Sequence, residues 1–179
     1  MDEAEIVKAC LEGKCDSQKH LYESFAPKML AVCYRYANSR DEAEDFLQDA
    51  FIRVFRKLHQ WKGDGDLGAW IRKIVVNSSL NGIKARHRFS DGQIPIEDIP
   101  DTYIQHPQIN EHELLELIHQ LPTGYKTVFN LYAIEGYTHD EIGNLLHIKA
   151  GTSRSQFMKA RKMLMQKLNP ELKIKEDAK

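Results

Sequence analysis

Apolar residues recur along this chain at intervals of three and four, the spacing that gathers them on one face of a helix. From Met1 to Arg88 the pattern predicts four helices. A short one near Glu3–Glu12 carries Ile6, Val7, Cys10 and Leu11. A longer one from about Asp16 aligns Leu21, Phe25, Met29, Val32 and Tyr36, with Pro27 inside it as a candidate kink. Ser39 and Glu42 then stand in capping-box spacing, where each side chain can satisfy the other's free backbone N–H. They open a helix to about His59, with Ala43, Phe46, Leu47, Ala50, Phe51, Val54, Phe55 and Leu58 apolar. The turn Lys62-Gly63-Asp64-Gly65-Asp66 breaks the pattern. A fourth helix follows from about Leu67 to Ala85, burying Trp70, Ile71, Ile74 and Val75.

A second helical block begins at Asn110 or Glu111. Its first helix carries Leu114, Leu117, Ile118 and Leu121, and Pro122-Thr123-Gly124 breaks it. Val128, Phe129 and Tyr132 mark the next, which Glu135-Gly136 ends. Thr138 and Glu141 form another capping-box pair and open a helix with Ile142, Leu145 and Leu146. After His147–Ala150 the last helix turns Ser153, Phe157, Ala160, Leu164 and Leu168 inward. Between the blocks, Phe89–Ile109 holds Pro95, Pro100 and Pro107 among Asp91, Glu97, Asp98 and Asp101. Repeated prolines remove helix donors and bias their predecessors away from helix. The expected fold is therefore all-α. Two small helical domains (1–88 and 111–168) are joined by a flexible acidic linker (89–110) and followed by a tail (169–179); the second domain contains a helix-turn-helix.

Composition narrows the function classes. Of 179 residues, 42% are hydrophobic and 28% charged, which is globular rather than disordered. The net charge is only −1, so binding to nucleic acid requires cations segregated into patches. Three cysteines, Cys10, Cys15 and Cys33, do not make a disulfide framework or a zinc cluster. The acidic start, Met1 to Glu5, is followed by no long apolar run, so neither a signal peptide nor membrane insertion is expected, and the cytoplasm is the default location. There is no phosphate-binding glycine loop, no paired-histidine metal motif and no nucleophile elbow, so no enzyme, cofactor or metal is expected. His112 and His119, seven residues apart, lack companion ligands.

Two segments concentrate positive charge. From Gly151 to Leu168 lie Arg154, Lys159, Arg161, Lys162 and Lys167, with no acid. A capped short helix, a tight turn and a basic helix match what major-groove insertion requires. Arg154 can reach a guanine edge, and the Thr152 hydroxyl with the helix-start N–H groups suits a phosphate. The second segment, Ala69–Phe89, sets Lys73, Asn77, Asn81, Lys84 and Arg88 on one helical face. Such a face suits DNA, and equally an ordinary solvated surface. Negative charge gathers at Asp41, Glu42, Glu44, Asp45 and Asp49, partly as helix-start chemistry. Asp45, Gln48, Asp49 and Ile52 continue on one face as a mixed stripe suited to a protein partner, although charge pattern alone favours a solvated face.

Taken together, the chain resembles bacterial RNA polymerase sigma factors of the sigma-70 family, in the small extracytoplasmic-function (ECF) group. Residues 43–51 (Ala-Glu-Asp-Phe-Leu-Gln-Asp-Ala-Phe) are similar to the family's core-binding helix. Residues 61–77, from Trp61 through Trp70 to Asn77, are similar to its minus-ten segment. Residues 136–143, continuing to 151–155, are similar to its minus-35 reader. The resemblance implies that Asp45, Gln48, Asp49 and Ile52 dock on the clamp helices of the polymerase largest subunit. It implies that Lys62, Gly63, Asp64, Gly65, Asp66 and Leu67 hold a flipped non-template base, and that Lys73, Asn77, Asn81, Lys84 and Arg88 follow the upstream duplex. Arg154, Ser155, Met158 and Lys159 would face minus-35 bases, with Thr152, Gln156 and Arg161 nearer phosphates. The linker would thread the channel where nascent RNA leaves, and an anti-sigma protein would be a partner. Four positions depart from the family pattern: Asp49 for Glu, His147 for Gly at a left-handed cap, Ser153 for an apolar residue and Gln156 for Arg. Two rival readings use the same residues: a helix-turn-helix regulator acting on an operator without polymerase, and a helical adaptor that binds only proteins.

Overall fold

The structure is a computed structural model that describes residues 3–86 and 111–168, without the side chains of Glu111 and His112. The expected linker, the tail and Arg88 lie outside the described residues. The chain divides into two compact units, Met1–His87 and Arg88–Lys179. Every regular element among the described residues is helical.

In the first unit, α1 spans Glu3–Leu11, α2 Cys15–Tyr36, α3 Arg40–Lys57 and α4 Leu67–Arg86. A 3₁₀ turn, Leu58–Gln60, extends α3. The first unit's core lies between α2, α3 and α4. Leu21, Met29, Val32, Cys33 and Tyr36 of α2 meet Phe46, Leu47, Phe51 and Val54 of α3 and Ile71, Val75, Leu80 and Ile83 of α4. Trp70 and Ile74, expected inside, are only partly covered. Helix α2 runs without a break through Pro27; its apolar face packs on both sides of the missing N–H, which outweighs one lost backbone bond. Small residues let α4 approach closely. The Ser79 hydroxyl donates to the Val75 carbonyl at 3.0 Å and so hides its polarity within its own helix. At Gly82 a Cβ would lie 2.3 Å from Cε1 of Phe46, so only glycine admits that ring.

In the second unit, α5 spans Glu111–His119, α6 Thr123–Phe129, α7 His139–Leu146 and α8 Ala150–Leu168. Helix α6 starts one residue after Pro122, so Gly124 lies inside it and does not break it. It runs on into a π-helical turn, Asn130–Ile134, that the spacing of apolar residues did not reveal. Ile118 and Leu121 pack with Ala160 and Leu164 of α8, flanked by Leu117, Tyr125, Phe129 and Met163.

Candidate nucleic-acid interface

The acidic stripe lies on α3. Asp45, Gln48, Asp49 and Ile52 are all exposed, and the Ile52 side chain is half bare at 50% exposure. A bare isoleucine among polar neighbours adds a non-ionic contribution to any docking there. The helix is capped by Ser39, whose Oγ accepts from the Glu42 N–H at 3.1 Å. The return half of the expected capping box is different. Glu42 Oε2 accepts from the Asn38 N–H at 2.7 Å, and Oε1 accepts from Arg86 Nη1 at 2.6 Å. Arg86 also lies over the Phe46 ring, 5.7 Å from its centroid, and its Nη2 is 3.9 Å from Asp45 Oδ2. Arg86 thus ties the end of α4 to the start of α3. Arg86 was not among the residues singled out from the sequence. The available signal was its place four residues after Gly82, on the face that meets Phe46.

The turn before α4 is an open loop. Lys62, Gly63, Asp64, Gly65 and Asp66 are exposed, and Gly63 and Gly65 take φ of +82° and +99°, which L side chains avoid. Asp66 caps α4, its Oδ1 accepting from the Ala69 N–H at 2.5 Å. Leu67 corrects the sequence expectation. It is 1% exposed, and its N–H donates to Glu3 Oε2 at 3.3 Å. As the first residue of an amphipathic helix it points into the core and has no surface to offer a base. Along α4, Lys73 and Asn81 are exposed while Asn77 and Lys84 are partly covered, a continuous polar face.

The second unit contains the helix-turn-helix. Thr138 Oγ1 accepts from the Glu141 N–H at 3.3 Å, and Glu141 Oε2 accepts from the Thr138 N–H at 2.8 Å, a complete capping box. Helix α7 ends at His147 in the left-handed conformation, φ +58° and ψ +44°. The Ile148 N–H donates to the Gly143 carbonyl at 3.0 Å, so the turn folds back onto α7. Gly143 is what allows this: a Cβ there would lie 2.8 Å from the Ile148 oxygen.

Helix α8 exposes Arg154 and Arg161, with Ser155, Met158 and Lys159 partly covered. Because α8 begins at Ala150, Arg154 sits in its second turn. The Ser155 hydroxyl donates to the Gly151 carbonyl at 3.0 Å. Two expected phosphate contacts face elsewhere. Thr152 is buried at 8% exposure. Gln156 turns its carboxamide toward Gly124 of α6, where its Oε1 is buried. Both follow from helical spacing, since Thr152, Ser153, Gln156 and Ala160 share the side that meets the core. Beside them His139, the first residue of α7, stacks on Tyr132 and meets Ser153. His139 was not singled out from sequence, although a serine at an inward position already implies a polar partner.

A helix-turn-helix with an exposed cationic second helix, joined in one chain to a helical unit with an acidic stripe and an amide-and-lysine face, defines a DNA-binding protein of transcription. Comparison with known proteins gives the family. The model of sigma-70 region 2 matches residues 21–89, and that of sigma-70 region 4 matches residues 111–164. The RNA polymerase sigma-H factor of Pseudomonas aeruginosa is 29% identical over 161 residues, covering 82% of this chain and 83% of that protein. The ECF RNA polymerase sigma-E factor of Haemophilus influenzae is 26% identical over 179 residues, covering 92% and 94%. Among solved structures, the sigma factor RpoE of Bartonella quintana, crystallised with the anti-sigma factor NepR, has a similar fold. Its TM-score is 0.50 at 22% identity, over 84% of this chain and 94% of that one. The chain belongs to the sigma-70 family of RNA polymerase sigma factors, in its ECF group.

Proposed function

We propose that this chain is a promoter-specificity subunit of a bacterial RNA polymerase, working in the cytoplasm and not an enzyme on its own. The observation that carries this reading is the presence, in one chain and in order, of both sigma-70 regions. Asp45, Gln48, Asp49 and Ile52 dock on the core polymerase. Lys62 to Asp66 form the pocket for a base drawn from the non-template strand. Unstacking a base costs a few kcal/mol, and a loop fixed at one end by the Asp66 cap is suited to repay it. Lys73, Asn77, Asn81 and Lys84 follow the upstream duplex. Arg154, Ser155, Met158 and Lys159 read the minus-35 element, with Arg161 on phosphate. An anti-sigma protein is the proposed regulator, covering the faces that core must reach.

Run-off transcription with purified core polymerase and a promoter library tests the proposal. Promoter-dependent initiation that needs this chain is the expected result. A chain that shifts an operator fragment without core and never co-purifies with core is a free-standing regulator. One that supports no initiation, never co-purifies with core and shifts no DNA is an adaptor. Either result overturns the proposal.

A further inference from the structure

His139 lies at the junction of three elements. Its ring lies flat on Tyr132 of the π-helical turn, centroids 4.3 Å apart and planes 8° apart. Tyr132 leans on Phe157 of α8 at 4.6 Å, and Phe157 stacks on Phe129 at 5.8 Å. At the edge of the imidazole, Nδ1 lies 2.9 Å from Ser153 Oγ. Ser153 is fully buried, and the next residue of α8 is the exposed Arg154. A helix held by apolar packing alone can rotate slightly about its axis at little cost. A hydrogen bond of fixed length at the residue before Arg154 resists that rotation. Base recognition needs such restraint, because a reading side chain must be held to within about 0.5 Å of its productive place.

We propose that His139 is the positioning residue for Arg154: it fixes the rotation of α8 through Ser153 and so sets which base edge the guanidinium meets. The inference rests on the sigma-factor reading of α8. One further observation supports it: the ring feels the guanidinium. Burial lowers the His139 pKa first, the Arg154 charge lowers it further, and Asp140 opposes both.

The test uses holoenzyme assembled from the full chain and core polymerase. Base preference at each minus-35 position is measured on a library for wild type, His139→Ala, His139→Asn, Arg154→Ala and the double variant His139→Ala/Arg154→Ala. His139→Ala is expected to reduce preference on the order of three- to tenfold, at the position Arg154→Ala affects. His139→Asn, which keeps a polar atom in the place of Nδ1, is expected to recover most of it. In the Arg154→Ala background the loss of His139 is expected to add nothing at that position. Should His139→Ala not fold, His139→Phe keeps the stack on Tyr132 and removes only the bond to Ser153. An equal loss on every sequence, additive with Arg154→Ala, makes His139 a phosphate contact and overturns the inference. Unchanged preference overturns it as well. A wild-type holoenzyme with no preference at any minus-35 position refutes the sigma-factor reading, and this inference with it.

Discussion

Replacing Arg86 with alanine removes three interactions from the first unit at once. Its guanidinium holds Glu42 at 2.6 Å, covers Phe46 at 5.7 Å and approaches Asp45 at 3.9 Å. They are unequal. The Glu42 side chain is only 9% exposed while that of Arg86 is 50% exposed. Breaking a fully buried pair costs about 3–5 kcal/mol, and an exposed one about 0–1 kcal/mol. This pair falls between, because Glu42 keeps its bond from the Asn38 N–H. The approach to Asp45, long and solvated, contributes little. The Phe46 contact adds about 0.5–1 kcal/mol. The sum is roughly 2 kcal/mol, or on the order of 10 °C in Tm for a domain of this size. Both tryptophans, Trp61 and Trp70, belong to the first unit, so their fluorescence in a urea titration reports on that unit alone. Arg86→Lys is expected to recover only part of the loss, because a single ammonium cannot keep the fork geometry. A double-mutant cycle with Glu42→Ala isolates the pair, with an expected coupling of about 1 kcal/mol or more. Arg86→Ala within about 0.5 kcal/mol of wild type, or a coupling near zero, would refute the reasoning.

Three further outcomes follow from close approaches and from one titrating ring. Gly82→Ala gains about 1 kcal/mol of helix propensity but drives a Cβ to 2.3 Å from the buried Phe46 ring; a net loss of roughly 1–2 kcal/mol by the same fluorescence assay is expected, and adding Phe46→Leu should return part of it. Gly143→Ala presses on the Ile148 carbonyl, so the second unit loses roughly 2 kcal/mol and minus-35 binding while tryptophan fluorescence stays unchanged; an equally stable variant would mean the turn has room to shift. The His139 pKa is lowered below 6.5 in the folded unit, so its contribution to stability is complete above the unfolded value and is lost as pH falls through the folded one. Hydrogen exchange at the Ile142 and Leu146 amides should therefore speed up in that acid window relative to its intrinsic rate, and less so in His139→Phe.

The legible parts of this molecule are those fixed by local rules. Thr138 and Glu141 announce a helix start, and a complete capping box is there. The short span between Leu146 and Ala150 requires a tight turn, and His147 enters the left-handed region to make it. The exposed stripe Asp45, Gln48, Asp49 and Ile52 follows from the apolar positions between them, which can face only inward. What escaped was decided by partners distant in sequence. Arg86 and Glu42 are 44 positions apart, and no periodicity links them. Gln156 was assigned to phosphate by family resemblance, but it lies on the side of α8 that meets the core, where its carboxamide approaches Gly124 of α6. The π-helical turn differs from an α-helix only in which carbonyl each N–H finds, a difference that leaves apolar spacing nearly intact.

The inward turn of Thr152 and Gln156 has a consequence for how the two units would share the work of binding DNA. Both side chains are neutral, so what is withdrawn is two hydrogen bonds to phosphate; the counterion release and salt dependence of binding rest on the Lys and Arg side chains alone. With those two hydrogen bonds withdrawn, the second unit alone is expected to hold DNA weakly. The first unit presents its own polar α4 face on a helix locked to α3 by Gly82 against Phe46 and by Arg86 against Glu42. Docking through α3 would therefore fix the orientation of the α4 face without further ordering cost. A weak reader tethered to a docked, rigid one binds at an effective concentration that can reach the millimolar range, which raises its occupancy without any new contact. Specificity can then rest on Arg154 and the ring that positions it, while affinity comes mainly from the linkage. In the proposed holoenzyme, the loss of Arg154 would change which promoters are chosen more than how tightly polymerase is held, whereas the loss of the α3–α4 lock would weaken every promoter together.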